Sequence, residues 1–283
     1  MIFNFIVQAL TKMALYGKIF KIKECNMVLL LDIGNTNIKI GAVIDDKIVR
    51  TWRIATDHKK TADEYGMVFM DLLSSQGFSF DDVEGIIISS VAPALNYTIE
   101  HMCSYYTRIK PIMVSNKIKL GMDIKYINPA ELGADRIINA VGAHHCYGGP
   151  AITVDFGSAT TFGIIDKAGN FLGGAIAPGI KSSAESLTNT AAKLPRIELI
   201  RPETIIGQTT VQNMQAGVIY GFTGLVEGIV AKMKEESGFS EVKVIATGGM
   251  SQLVTSGGTK IIDVVDRALS LKGLLALYNL NKK

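Results

Sequence analysis

The feature that most constrains the fold is a short pattern that occurs twice, at residues 29–44 and again at residues 151–166. Each copy has an apolar run that ends in an aspartate, a turn of glycine and other small residues, and a second apolar run. This pattern predicts two antiparallel strands joined by a tight turn, with a carboxylate at the end of the first strand. The aligned positions are Asp32 with Asp155, Gly34 with Gly157, and Thr36 with Ala159.

Both turns have the composition of a phosphate-binding site. Glycine and its small neighbours let backbone N–H groups approach a ligand closely, and a carboxylate beside such a turn can hold a hydrated cation. Asp32 and Asp155 lie about one domain length apart in the chain. We therefore interpret the pattern as a duplicated phosphate-binding hairpin, with one copy in each of two lobes.

Composition limits the classes of protein to which the chain can belong. Its 283 residues, 48% hydrophobic and 19% charged, are enough to bury a large core and exclude disorder of the whole chain. A net charge of +3 without any cluster of Lys and Arg does not indicate a nucleic-acid partner. We expect an ordered protein that does not bind nucleic acid.

The first 26 residues differ from the rest. Residues 1–10 are apolar, but Lys12 and Lys18 follow, so the run is shorter than the roughly 20 residues of a membrane span. In a signal peptide the basic residues precede the apolar core, and here they follow it. We expect residues 1–26 to be a non-native or disordered extension, the functional protein to begin at Met27, and no membrane partner. A frayed or docked amphipathic helix is the alternative.

Cysteine usage indicates a reducing compartment. The three cysteines have no C-x-x-C spacing, so neither a disulfide framework nor a zinc site is expected, and we predict a cytoplasmic location. They are Cys25, Cys103 and Cys146. The adjacent His144 and His145 do not favour a metal site, because neighbouring residues on a helix point about 100° apart.

Strands and helices alternate through both halves of the chain, which predicts an α/β fold. The boundary between the lobes is placed near residue 148, giving an N-terminal lobe of residues 27–148 and a C-terminal lobe of residues 149–283. Asn128, Pro129 and Glu131 favour the opening of a helix that continues through residue 145.

The longest helical pattern, residues 211–234, contains an unusual number of glycines. Glycines at that density predict close packing of the helix backbone against another element. They are Gly217, Gly221, Gly224 and Gly228.

The two hairpins and a later Gly-Gly turn at residues 247–249 resemble the actin-like ATPase superfamily, which includes acetate and sugar kinases, Hsp70 and actin. The resemblance implies two ribonuclease-H-like lobes with a nucleotide cleft between them. It also implies that the two hairpin turns hold the phosphates of ATP, and that Thr247, Gly248 and Gly249 border the adenosine.

Within that superfamily the chain resembles the type III pantothenate kinases, from about Met27 to the C-terminus. Each motif alone is weak, but the set in this order and spacing is specific. The segments are Asp32-Ile33-Gly34-Asn35-Thr36-Asn37-Ile38-Lys39, Tyr126 with Gly133-Ala134-Asp135-Arg136, Asp155-Phe156-Gly157-Ser158-Ala159-Thr160-Thr161, and Gly207-Gln208-Thr209-Thr210 followed by Gly217. One position departs from the family, because Ser158 stands where threonine is usual. Serine keeps the hydroxyl, so we expect phosphate contact with a looser rotamer.

The resemblance implies ATP-dependent phosphorylation of pantothenate to 4′-phosphopantothenate, the first step of coenzyme A synthesis. Asp135 is the implied general base, a role typically worth ~10²–10⁴ in rate. The implied ATP-binding residues are 32–39 and Ser158. The implied substrate-binding residues are Tyr126, Gly133, Ala134, Asp135, Arg136 and Thr210.

The same resemblance implies roles for the charged residues of the site, and each of these residues also has a purely structural interpretation. Asp32 is implied to hold Mg²⁺ through water, and Lys39 to add charge unless it is a solvated strand residue. Asp155 is implied to carry a monovalent cation, K⁺ or NH₄⁺, unless it only caps its turn. Arg136 suits the carboxylate of pantothenate, or else pairs with an acidic neighbour such as Asp135.

Family members are homodimers whose substrate pocket is completed across the interface, so Thr210 is implied to reach the site of the neighbouring subunit. Two other functions remain open. The chain could be a non-catalytic regulatory homologue of the Bvg accessory factor type, or an actin-like kinase for another small hydroxyl acceptor. Retention of Asp32, Asp135 and Asp155 favours catalysis, since a pure binding protein has no need of a base.

Overall fold

The computed structural model describes residues 26–256 and 259–282. The expected extension, residues 1–26, lies outside this range apart from Asn26, and its exclusion from the functional protein stays a prediction. The elements of the first half are β1 (Met27–Ile33), β2 (Asn37–Ile44), β3 (Lys47–Ala55), α1 (Ala62–Ser74), β4 (Val83–Ser90), α2 (Pro93–Thr107), β5 (Ile112–Met113) and α3 (Ala134–Tyr147). Short 3₁₀ turns occur at Phe80–Asp82 and Pro129–Glu131.

The second half repeats this order of elements with one additional helix after the three-stranded meander. They are β6 (Ala151–Phe156), β7 (Ala159–Ile165), β8 (Phe171–Pro178), α4 (Ile180–Thr190), α5 (Thr210–Ser237), β9 (Lys243–Gly248), α6 (Ser251–Thr255), β10 (Val264–Val265) and α7 (Leu269–Asn281). Strands and helices alternate as the sequence predicts.

The two five-stranded sheets have the same topology, with strand orders β3-β2-β1-β4-β5 and β10-β9-β6-β7-β8. In each sheet an antiparallel three-stranded meander is followed by two strands that run parallel to its first strand. β1 therefore corresponds to β6, and β4 to β9. The predicted duplication of the hairpin is confirmed.

The described elements stack in five layers. Helices α1 and α2 cover the outer face of the first sheet, and α4 and α5 cover the outer face of the second. Helices α3 and α7 lie between the two sheets and bury their apolar residues against both. The inner strand residues that meet these helices include Leu30, Ile87, Ala151 and Ile245. The layer between the sheets therefore carries α3, the helix that begins beside the candidate site.

Helices α3 and α7 cross at very short distance because two glycines meet at the contact. A Cβ at Gly273 would overlap the carbonyl oxygen of Ile138, and one at Gly142 would lie 2.5 Å from the carbonyl oxygen of Leu269. Only glycine permits this approach, which sets the position of α3 between the lobes.

The helix opening expected at Asn128 is only partly correct. Asn128 accepts a hydrogen bond from the backbone N–H of Ala130 at 3.2 Å, but it caps only the 3₁₀ turn Pro129–Glu131. Leu132 is extended and Gly133 caps a separate helix, α3, with its carbonyl accepting from Arg136 and Ile137. The break places residue 135 in the first turn of α3.

The prediction that the glycines of α5 pack closely against another element is wrong within the described chain. The position that a Cβ would take has no atom within 4 Å at any of the four, and all four are exposed. The opposite side of α5 packs in the C-terminal core through Val218, Ile219, Phe222, Val226 and Val230. By length and composition, α5 is also the one described helix that could cross a membrane. The buried side of α5 belongs to the C-terminal core, while its glycine side is exposed.

Candidate active site

The tips of the two duplicated hairpins face each other across the gap between the lobes. Each turn is closed by a backbone hydrogen bond, from Gly34 to Asn37 at 3.0 Å and from Gly157 to Ala159 at 3.1 Å. The hydroxyl groups of Thr36 and Ser158, one from each lobe, lie 2.7 Å apart and hydrogen-bond to each other. The structure thus brings the two predicted phosphate turns together, with both hydroxyls exposed toward the cleft.

Strand alternation turns both hairpin aspartates toward the layer between the sheets. Leu30 of β1 and Ala151 of β6 face that layer, so Asp32 and Asp155, at even spacing along the same strands, face it too. The base candidate on α3, Asp135, is close enough to both to feel their charges. Three carboxylates from two lobes and the middle layer therefore converge.

Asp135 has an environment that favours its protonated form. Burial, together with the charges of Asp155 and Asp32, raises the pKa of its carboxyl to about 6, although the backbone N–H and the guanidinium of Arg136 lower it. A Cβ at Gly133 would lie 2.5 Å from Oδ1 of Asp135, so glycine at the cap leaves room for this carboxylate. A carboxyl whose pKa lies near neutrality is suited to exchange a proton at physiological pH.

Lys39 balances part of this negative charge. Its Nζ lies 3.5 Å from Oδ2 of Asp32 and donates to Oγ of Ser270 at 3.3 Å. The Lys39 side chain is only 18% exposed, so the alternative of a solvated strand residue is wrong. The pair forms because residues 32 and 39 are direct neighbours in the antiparallel register of β1 and β2.

Arg136 is a buried cation without an anionic partner. It is 8% exposed, and its Nε and Nη2 atoms have no hydrogen-bond partner in the described residues. Its guanidinium lies 5.5 Å from the ring centre of Tyr126 and 5.3 Å from that of Phe171. A Cβ at Gly174 would lie 3.0 Å from Nη2. The ion pairs of the described chain do not include Arg136, so its pairing with an acidic neighbour is wrong.

Asp155 is held from the middle layer and not by its own turn. Its Oδ2 accepts from Nδ2 of Asn139 at 2.9 Å, whereas the turn N–H of Gly157 bonds to Ala159. Burial is the main cause that raises the pKa of Asp155, and Lys39 opposes it. Nothing in the described structure supports the turn-capping alternative.

Each hairpin aspartate has a buried hydroxyl beside it on the neighbouring parallel strand. Ser89 is the register partner of Asp32, and Thr247 is the register partner of Asp155. Both hydroxyls are 0% exposed and lack a hydrogen-bond partner in the described chain. Each pair repeats the same local design in the two lobes.

A cavity of about 680 Å³ lies beside α4 in the second half of the chain. Its lining includes Met250, which follows the Gly-Gly turn, together with Lys181 and Glu185 of α4. The neighbouring Ser182 donates to the carbonyl of Ser158 at 3.3 Å, so α4 joins this cavity to the phosphate turn. Of the segment that the resemblance places beside the adenosine, residues 247–249, none lines this cavity, whereas the next residue, Met250, does.

Thr210 is not brought to the site by its own chain. It is the exposed first residue of α5, and no hydrogen bond or ion pair of the described chain joins it to Asp135, Arg136 or Tyr126. His144 and His145 end α3, as expected, and the described residues contain no group of three or more potential metal ligands among His, Cys, Asp and Glu.

Sequence reasoning did not identify several residues that shape the site. Asn139 had a usable signal, since it lies one helical turn after Asp135 and so shares its face of α3. No sequence signal pointed to Phe171. It is brought next to Tyr126 by an isolated β-bridge between Ile124 and Phe171, which are far apart in the chain. Ser270 likewise comes from the C-terminal helix.

A family model described as type III pantothenate kinase matches residues 28–232, which is well over half of the chain. A solved structure from Campylobacter jejuni, described as a conserved putative Baf family transcriptional activator, is similar with a TM-score of 0.58 at 20% identity. The alignment covers 89% of this chain and 97% of that one.

The ethanolamine utilization protein EutJ from Carboxydothermus hydrogenoformans is similar with a TM-score of 0.51 at 11% identity, covering 89% of each chain. At such identities the likeness concerns the fold alone. The expected α/β fold with two actin-like lobes around a cleft is confirmed.

Proposed function

The chain belongs to the type III pantothenate kinase family, which phosphorylates pantothenate with ATP in coenzyme A biosynthesis, and we propose that Asp135 is its general base. The observation that carries this proposal is the convergence in one cleft of Asp135 and the unpartnered Arg136 with the two phosphate turns. A kinase needs an acceptor, a phosphoryl donor and a proton acceptor held in line, and this cleft has a candidate for each.

Asp135 takes the proton of the primary hydroxyl of pantothenate as that oxygen attacks the γ-phosphorus. The hydroxyl need not ionise first, because a positioned carboxylate accepts the proton while the new P–O bond forms. The raised pKa of Asp135, about 6, supports this role, since it makes the carboxylate a stronger base while leaving it ionised at neutral pH.

Arg136 binds the carboxylate of pantothenate through its planar donor fork. A buried guanidinium with two unpartnered nitrogen atoms is costly unless an anion completes it. Tyr126 and Phe171 support the guanidinium with their rings and fix its direction. The need for an anionic partner is the property that favours an acidic acceptor.

The turns at residues 34–36 and 157–158 hold the phosphates of ATP, with the hydroxyls of Thr36 and Ser158 exchanging their mutual hydrogen bond for phosphate oxygens. The adenosine occupies the cavity beside Met250. The oxygen donors of Asp32 suit Mg²⁺ and those of Asp155 suit K⁺ or NH₄⁺, and these ions supply positive charge against the triphosphate. Lys39 pairs with Asp32 and orients its carboxylate.

A homodimer completes the substrate pocket. Two features of α5 support it: Thr210 is exposed at its start, and its glycine face has open space beside it. A second copy packed on that face would bring its own Thr210 toward the neighbouring cleft. We also propose a cytoplasmic location, with neither nucleic acid nor membrane as a partner, and a functional chain of two lobes, residues 27–148 and 149–283.

Transfer of radiolabelled phosphate from ATP tests the function, with pantothenate offered beside a panel of sugars and short hydroxy acids. Among the acceptors offered, we expect only pantothenate to be labelled. We expect no turnover in the Asp135→Asn variant. Normal turnover of Asp135→Asn would refute the assignment of Asp135 as the general base. Labelling of another acceptor in preference to pantothenate would favour the general small-molecule kinase.

The regulatory alternative has one observation in its favour, the description of the Campylobacter jejuni structure as a putative transcriptional activator. That description applies to that protein, and a regulator needs no base beside its phosphate turns. Absence of labelled product from every acceptor, with ATP still bound, would support the regulatory reading for this chain.

A further inference from the structure

Two buried oxygen atoms beside Asp155 have no hydrogen-bond partner in the described chain. They are Oδ1 of Asn139 and Oγ1 of Thr247, on side chains that are 2% and 0% exposed. Buried polar atoms are nearly always satisfied, so an amide oxygen and a hydroxyl left without partners beside one carboxylate indicate a group that binds there.

The orientation of the Asn139 amide follows from its neighbour. Its nitrogen donates to Oδ2 of Asp155 at 2.9 Å. The flipped amide would place an oxygen against the carboxylate, where neither atom carries a hydrogen. Because both amide atoms are bonded to one carbon, Oδ1 of Asn139 also lies within a few ångström of Asp155 and remains an open acceptor.

Thr247 reaches the same place from the neighbouring strand. It is the parallel register partner of Asp155, and β6 and β9 present both side chains to the layer between the sheets. The next residue is Gly248, where a Cβ would lie 2.5 Å from Oδ1 of Asp155. The second carboxylate oxygen therefore points to the end of β9, next to Thr247.

The equivalent place in the other lobe differs in charge. Asp32 and Ser89 repeat the arrangement, but Asp32 is paired with Lys39. No ion pair of the described chain includes Asp155, although the charge of Lys39 acts on it from a distance. The ammonium group of Lys39 is thus the cation beside Asp32, and no side chain of the described residues pairs with Asp155 in the same way.

We propose that Oδ1 of Asn139 and Oγ1 of Thr247 complete, with the Asp155 carboxylate, the ligand set of the monovalent cation, an inference that rests on the proposed cation at Asp155. One carboxylate with amide and hydroxyl oxygens has a low charge and flexible donors, which suits K⁺ or NH₄⁺ more than a divalent ion. Asn139 then has two roles, since its nitrogen orients Asp155 while its oxygen binds the ion.

Ion binding by the full chain without nucleotide tests the proposal apart from catalysis. The measurements are ²⁰⁵Tl⁺ NMR titration, competition by KCl, NH₄Cl and NaCl, and thermal unfolding in KCl against choline chloride at equal ionic strength. The variant is Thr247→Val, which removes the oxygen but keeps the shape, and the matched control is Thr247→Ser, which keeps the oxygen.

We expect Thr247→Val to weaken Tl⁺ and K⁺ binding by about tenfold or more and Thr247→Ser to bind within a few-fold of the natural chain. In choline chloride, Thr247→Val should unfold at the same or a higher temperature, because it removes an unsatisfied buried hydroxyl. The rise in unfolding temperature that KCl produces should then be lost in that variant alone.

The outcomes are distinguishable. Thr247→Val that binds Tl⁺ as well as the natural chain would overturn the ligand set. If Asp155→Asn also left binding unchanged, or if the natural chain bound no monovalent ion, the cation at Asp155 itself would be refuted. Thr247→Ala removes the same oxygen without a second methyl group and gives the same test if the valine variant does not fold.

Discussion

The ionised carboxylate of Asp135 should lower the free energy of unfolding, because the folded structure disfavours its charged form. Burial and the neighbouring carboxylates raise its pKa from 3.8 to about 6. A pKa difference of about 2 corresponds to about 3 kcal/mol between the two protonation states. We predict that Asp135→Asn is more stable than the natural chain by about this amount at pH 8.

The pH dependence of this gain has a definite sign. Below pH 3.8 the carboxyl is protonated in both the folded and the unfolded chain, so it contributes no difference. As the pH rises toward 6 the unfolded chain ionises first, which lowers the free energy of unfolding, and above pH 6 the loss is complete. Asparagine is neutral at every pH, so the advantage of Asp135→Asn should fall from its value at pH 8 toward zero at pH 4.

Urea unfolding of the natural chain and the variant at pH 4, 6 and 8 measures the effect. Asp123→Asn is the matched control, because that side chain is 72% exposed and its exchange should leave stability nearly the same at every pH. Equal stability of Asp135→Asn and the natural chain at pH 8 would refute the reasoning. The same gain at pH 4 and at pH 8 would assign it to packing instead of charge.

Three further predictions concern activity and packing. The acid limb of kcat/KM should lie near pH 6 and move to lower pH in Asp155→Asn, because that change removes a charge that raises the pKa of Asp135. A limb that stays at the same pH in the pH–rate profile of this variant would show that the charge of Asp155 does not act on Asp135. Arg136→Lys should raise the KM for pantothenate by about tenfold or more through loss of the bidentate fork, and an unchanged KM in steady-state assays would exclude that contact. Gly273→Ala should lose about 3 kcal/mol or more in urea unfolding where the two central helices cross. Unchanged stability of Gly273→Ala would contradict the packing.

Much of the fold could be predicted because its signals are local. The alternation of apolar residues around Asp32 and Asp155 is enough to specify two strands and a turn, and the repeat of the pattern specifies two lobes. The sequence predicts one helix from Asn128 through residue 145, but the structure has a 3₁₀ turn that ends at Glu131 and a separate helix capped by Gly133. Such boundaries depend on a few backbone angles that composition does not determine.

The glycines of α5 show a second limit. A run of glycines at helical spacing predicts a close contact but not the molecule that makes it. The structure leaves open space beside Gly221 and its neighbours, whereas Gly142 and Gly273, which carry no such pattern, form the tight crossing. The sequence signal identified the wrong glycines for packing within this chain.

From the sequence alone it follows that this chain has two similar hairpin turns, an aspartate at the end of the first strand of each hairpin, and Asp135 with Arg136 at a helix opening. These features depend on residues that are close together in the chain, so they can be predicted from the spacing of those residues. Tertiary structure alone decides that Asn139 bonds to Asp155, that Thr247 lies beside it, and that Arg136 is buried without an anion. Each of these depends on elements far apart in sequence that meet between the lobes, where burial raises the pKa of a carboxyl group and leaves oxygen and nitrogen atoms without hydrogen-bond partners in the described chain.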